Sequence, residues 1–127
     1  MTAAEAFYRF WGQFGFPASE EGSVPDTDPP GYPLLVCRYG EGAGRGEAVG
    51  LSVSLWVRST GWREAQEAAD RIGAALPPGG VFLPFEDPCE GALWLTRDTP
   101  WLTRSGDDED PLLKRILFRL TARVYKG

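Results

Sequence analysis

Two stretches of strict alternation constrain this chain more than any other feature. Val49, Leu51, Val53, Leu55 and Val57 interleave with Gly50, Ser52, Ser54, Trp56 and Arg58. Near the C-terminus, Ile116, Phe118, Leu120, Ala122 and Val124 interleave with Leu117, Arg119, Thr121, Arg123 and Tyr125. Successive side chains of a strand point to opposite faces, so a period of two means one buried face and one more polar face. An alternation this regular belongs to strands that face a core, not to an exposed edge.

The partners for those apolar faces are two amphipathic helices. Over residues 3–14, Ala4, Phe7, Tyr8, Trp11 and Phe14 fall on one helical face, and Gly15 with Pro17 ends the run. Over residues 61–76, Trp62, Ala65, Ala69, Ile72 and Leu76 form a second stripe. Ser59 or Thr60 is placed to cap this helix, and Pro77-Pro78-Gly79-Gly80 stops it. The small residues Ala65, Ala68, Ala69 and Gly73 allow it to lie close on a sheet.

Shorter apolar runs at 34–39, 81–85 and 92–97 read as further strands, the last two separated by a turn-rich segment at 86–91. Residues 18–33, with Pro25, Pro29, Pro30 and Pro33, read as an irregular surface loop. The glycine-rich residues 40–46 read as a long hairpin tip. Residues 98–111, with Thr99-Pro100-Trp101 and the acids Asp107, Asp108, Glu109 and Asp110, read as another loop. The expected fold is α+β: a two-layer sandwich with a mostly antiparallel sheet of four to five strands and two helices on one face. A chain of 127 residues has the length of one such domain, residues 1–127.

Composition narrows the function. A net charge of −5 opposes nonspecific nucleic-acid binding, which needs a basic footprint, and opposes docking on anionic lipid. The N-terminus lacks the pattern of a signal peptide and no apolar run has the length to span a bilayer, so a soluble, cytoplasm-compatible protein is expected. In that setting Cys37 and Cys89 are expected as buried free thiols, with a single disulfide as the alternative. The chain has no histidine, which excludes Ser-His and Cys-His nucleophile pairs and histidine-based zinc sites.

Three weaker signals also read as non-catalytic. The segment 40–46 lacks the Lys-Ser/Thr ending of a phosphate loop and precedes a strand, not a helix. The run 107–110 lacks the spaced oxygen ligands of a calcium loop. The pairs Glu20-Glu21 and Glu86-Asp87 lie in loops without a supporting frame. No enzyme activity, cofactor or metal is expected.

Five side chains stand out as candidate interface residues: Trp56, Arg58, Arg115, Arg119 and Arg123. Trp56 lies on the more polar face of its strand, where it either packs within its own subunit, on the first helix or a loop, or sits at a subunit interface. Arg115, Arg119 and Arg123 recur every fourth residue on one strand face, about 13 Å apart. They are either a solvated strip paired with cross-strand acids or an intersubunit salt-bridge strip.

Several segments, in order along most of the chain, resemble a known family. They are Phe10-Trp11-Gly12-Gln13-Phe14-Gly15-Phe16-Pro17-Ala18, Ser23-Val24-Pro25-Asp26, Ser54-Leu55-Trp56-Val57-Arg58-Ser59-Thr60-Gly61-Trp62 and Gly79-Gly80. Gly91-Ala92-Leu93-Trp94-Leu95, Thr99-Pro100-Trp101 and Asp107-Asp108 leading into Lys114-Arg115-Ile116 complete the set. With these segments the chain resembles the tail terminator and tail-completion proteins of long-tailed bacteriophages and prophages. The glycine-rich 40–46 segment and the Pro29-Pro30-Gly31-Tyr32-Pro33 approach depart from the pattern.

The resemblance implies a virion structural protein, made in the bacterial host cytoplasm. It would form a ring, commonly a hexamer, that caps the head-proximal end of the tail tube, ends elongation and joins tail to head. Its partners would be further copies of itself, the tail tube protein and the head connector, with DNA passing through without specific binding. The alternatives are a head–tail adaptor or completion protein of the neck, and a protein-binding module unrelated to phage.

Overall fold

The computed structural model describes residues 3–20, 33–38, 48–85, 91–106 and 109–125. In chain order the elements are α1 (Ala3–Gly12), β1 (Ala18–Glu20), β2 (Leu34–Arg38), β3 (Ala48–Arg58), α2 (Arg63–Ala75), β4 (Val81–Pro84), β5 (Ala92–Gly106) and β6 (Leu113–Tyr125). The strands form one six-stranded sheet in the order β1-β2-β3-β6-β5-β4. Every pairing is antiparallel except the short parallel contact of β1 with β2.

The two alternating stretches lie side by side at the centre of this sheet. Their register sets Leu51 opposite Leu120, Val53 opposite Phe118 and Leu55 opposite Ile116, so both apolar faces turn to the same side. Leu35 and Cys37 extend that face through β2, and Leu93 and Leu95 extend it through β5. All ten of these side chains are buried.

Both helices cover the same face. From α1, Phe7, Phe10 and Trp11 enter the core with Phe14 just beyond, and α2 contributes Ala65, Ala68, Ala69 and Ile72. Trp11 is fully buried, packing edge-on to Phe10 with ring centroids 5.3 Å apart and lying 6.0 Å from Phe118 of β6. Such tilted and edge-on contacts suit the ring quadrupoles and add to the large area each aromatic buries. The expected two-layer α+β architecture is present, with helices on one side of the sheet.

Three local features differ from the sequence reading. The start of the expected 18–33 loop forms β1, because Leu35 N–H donates to Pro17 O at 2.8 Å and draws this segment alongside β2. Helix α2 begins after Trp62, whose carbonyl accepts from Gln66 N–H at 2.8 Å, and no side chain caps it, so neither Ser59 nor Thr60 serves as the cap. The expected loop at 98–111 is mostly strand. β5 continues to Gly106 across a register shift between Arg97 and Leu102 that contains the cis Thr99–Pro100 bond. Proline cannot donate to a ladder, so the irregularity falls where it stands and pairing resumes beyond.

The Gly79-Gly80 break is a tight turn. Gly80 has φ +85° and donates to Pro77 O at 2.8 Å, and a Cβ there would lie 2.7 Å from Leu95 O. The hairpin tip at 40–46, most of the proline-rich loop, the acids Glu86, Asp87, Asp107 and Asp108, and Cys89 lie outside the described residues.

Candidate subunit interface

The face of the sheet turned away from the helices carries the candidate residues. Even-numbered positions of β3 and odd-numbered positions of β6 share it, and the register sets Trp56 opposite Arg115, Ser52 opposite Arg119 and Ala48 opposite Arg123. Trp56 therefore points away from the first helix. Its partner within the subunit is Arg115, whose guanidinium carbon lies 5.4 Å from the indole centroid. Arg115 Nε also donates to Ser54 Oγ at 3.0 Å, so both the stacked ring and the hydroxyl fix its position. The result is a half-buried aromatic–cation pair at the sheet surface, anchored by a hydrogen bond.

The other arginines are presented differently. Arg119 and Arg123 are exposed. Across β5, Arg123 faces Trp94 and Arg115 faces Ser105, while Arg119 lies beside the bulge. None of the residues directly opposite these three arginines is an acid. Asp98, at the bulge, accepts instead from Thr121 Oγ1. Arg58 ends β3 and pairs with Asp110, which also accepts from Leu112 N–H at 3.0 Å. That pair ties the end of β3 to the connection entering β6. The structure thus gathers Trp56, Arg115, Arg119 and Arg123 on one face, with Arg58 at its margin in an ion pair.

Two further groups stand out in the structure that the sequence did not single out. One is an exposed aromatic cluster on the same outer face. Phe82 lies 4.1 Å from Trp94 and 6.0 Å from Tyr125 between ring centroids, with Phe82 54% and Tyr125 45% exposed. The other is Arg97. It shares the phase of Leu93 and Leu95 and so points to the helix side, where it binds the end of α2. A cation in the phase of core residues is the sequence signal that marks it.

The chemistry on offer is limited. Burial pushes the Cys37 thiol up to about 12, so it stays protonated at neutral pH and is no nucleophile. Among the described residues no three cysteine, aspartate or glutamate side chains group as metal ligands, and no described helix is long and apolar enough to cross a membrane.

One solved structure that the chain is similar to belongs to the virion of a native gene transfer agent particle. The superposition gives a TM-score of 0.62 at 17% identity and covers 98% of this chain and 95% of that one. The two chains share a fold from end to end. A second solved structure, with no function in its name, gives a TM-score of 0.55 at 13% identity and covers 100% of this chain and 99% of that one. No family model and no curated relative matches the sequence. At these identities the likeness is one of fold.

Proposed function

We propose that this chain is a single-domain structural subunit of a phage-type virion, and within it the ring that caps the head-proximal end of the tail tube. The observation that carries the reading is the end-to-end likeness to a chain of a gene transfer agent virion, with almost nothing left over on either side. Motifs spread along the chain resemble tail terminator proteins, and that resemblance gives the reading its finer terms: a homohexamer that stops tube growth and offers its other surface to the head connector. The role is one of fit between proteins, with no catalytic step.

In this reading the outer sheet face carries the contact between neighbouring copies. The Trp56–Arg115 pair is the preformed anchor, since aromatic and arginine side chains concentrate the energy of protein interfaces. Arg119 and Arg123 reach from the same face toward acids of the next subunit. A chain with net charge −5 has such acids in excess, and the same charge keeps duplex DNA from adhering as it passes.

Electron microscopy of the concentrated protein, alone and mixed with tail tubes, tests the proposal. Rings, or tubes capped at one end, are the expected result. Protein that stays monomeric at every concentration and leaves the tubes bare contradicts it.

A further inference from the structure

The sheet ends at β4, and no described strand pairs with its far side. Which backbone groups face outward there follows from the register. Phe85 N–H donates to Gly91 O at 3.0 Å, and this pair continues the β4–β5 ladder in which Leu83 faces Leu93 and Val81 faces Leu95. In an antiparallel ladder the hydrogen-bonded positions alternate, so Val81 and Leu83 spend their polar groups on β5. The N–H and C=O of Phe82, and the C=O of Pro84, therefore point away from the sheet. Proline has no N–H, which limits the open edge to one donor and two acceptors.

Each side of that edge has its own apolar surface. On the helix side, a cleft of about 290 Å³ opens between α1 and β4, lined by Ala6, Arg9, Phe10, Gln13, Leu83 and Pro84. Phe10 supplies its buried wall, while the exposed Arg9 stands at its rim. On the other side, Phe82 stands 54% exposed against Trp94.

We propose that the β4 edge and the cleft beside it form a docking site for an extended, acidic segment of a partner protein, which adds to the sheet as a further strand. Edge pairing supplies affinity through the main chain and selects side chains at alternate positions. The residue placed opposite Phe82 exchanges both hydrogen bonds with it and lays an apolar side chain on the outer aromatics. Its neighbour opposite Leu83 turns to the helix side. A glutamate there runs its methylene stem over Phe10 and brings its carboxylate to Arg9, a charge-assisted contact at the rim of an apolar cleft. The edge is too short for a long strand, so the site reads a few residues. It stands independently of the virion reading, and the failure of either leaves the other in place.

The probe is a capped pentapeptide of threonines with glutamate at its second position and valine at its third. It is titrated into the isotopically labelled full chain and followed by amide NMR. Saturable shifts at Phe82, Leu83 and Phe10 in the millimolar range are expected. Affinity should fall about tenfold or more when the valine is N-methylated, when the glutamate is replaced by lysine, or in Arg9→Glu, each of which removes one named contact. Arg9→Glu should bind the lysine peptide better than the glutamate peptide, which separates loss of charge pairing from loss of folding. Absence of shifts at millimolar peptide, shifts centred elsewhere, or equal binding of the N-methylated peptide would overturn the proposal.

Discussion

Arg97 donates from Nε to the carbonyl oxygen of Leu76 at 2.7 Å, joining the middle of β5 to the end of α2. Its Nη2 donates to Gly73 O at 3.0 Å, and its guanidinium lies 4.9 Å from the centroid of Trp101, which rests 5.0 Å from Phe118. The last carbonyls of a helix have no partner within it and carry the negative end of its dipole. Pro77 and Pro78 follow at once and cannot supply N–H groups, so a side chain from the sheet does so. This residue ties the C-terminal end of α2 to the middle of β5.

Removing it should be costly. Arg97→Ala strands two carbonyls beside a core and should destabilise by about 2–3 kcal/mol. Arg97→Lys keeps the charge but loses the fork that reaches both oxygens, and should recover only part of that loss. Urea denaturation of the three proteins checks the order.

The C-terminal strand separates folding from assembly. Phe118 is fully buried between Trp11 and Trp101, and Phe118→Ala should cost about 3–5 kcal/mol. Arg119, next in sequence, is exposed on the opposite face, and Arg119→Ala should change stability by less than about 0.5 kcal/mol. Exposed ion pairs contribute about 0–1 kcal/mol each, so weakened assembly should need Arg119→Ala together with Arg123→Ala. Denaturant melts and sedimentation of each variant separate the two effects. A double variant that folds and assembles normally would mark the strip as merely solvated.

Gly80 is required by its backbone. At φ +85° any side chain is strained, and a Cβ would press on Leu95 O at 2.7 Å and Thr96 Cγ2 at 2.9 Å. Those contacts cannot relax without parting β4 from β5. Gly80→Ala should therefore cost about 2 kcal/mol or more, read as a lowered denaturation midpoint. Gly79→Ala, where nothing lies within 4 Å, should cost far less.

Cys37 carries a pH signature. Its thiol is held neutral in the fold up to about 12, against 9.0 for the free group, because burial disfavours the thiolate. The unfolded chain therefore releases this proton first as pH rises. The contribution is intact below pH 9.0 and is lost progressively between there and about 12. Stability of the native protein should fall faster over that window than that of Cys37→Ala. Thiol reagents should label Cys37 only when the chain unfolds.

The alternating residues were legible because burial on one face writes itself directly into sequence. Leu51, Val53, Phe118 and Leu120 all occupy the face that their parity assigns, and Trp11 and Ile72 lie on the helical stripes read for them. Features set by contacts distant in sequence were not legible. β1 forms because Pro17 meets Leu35, and β5 runs past Pro100 because β6 is long enough to resume pairing on the far side. The outer face was legible strand by strand, since parity alone turns both Trp56 and Arg115 away from the apolar side of their own strands. Its contacts were not, because the stacking of that pair depends on a register that no single strand specifies. The Phe82–Trp94–Tyr125 cluster likewise draws one ring from each of three strands.

The role proposed for this chain is to end tail-tube growth and to join tail to head. Electron microscopy of particles assembled with and without the chain measures this directly, through the distribution of tail lengths and the fraction of heads that bear tails. Without the chain, tubes of excess and variable length should accumulate beside tailless heads, and adding the purified protein during assembly should restore uniform, joined tails. Tails of normal length on filled heads in its absence would contradict the account.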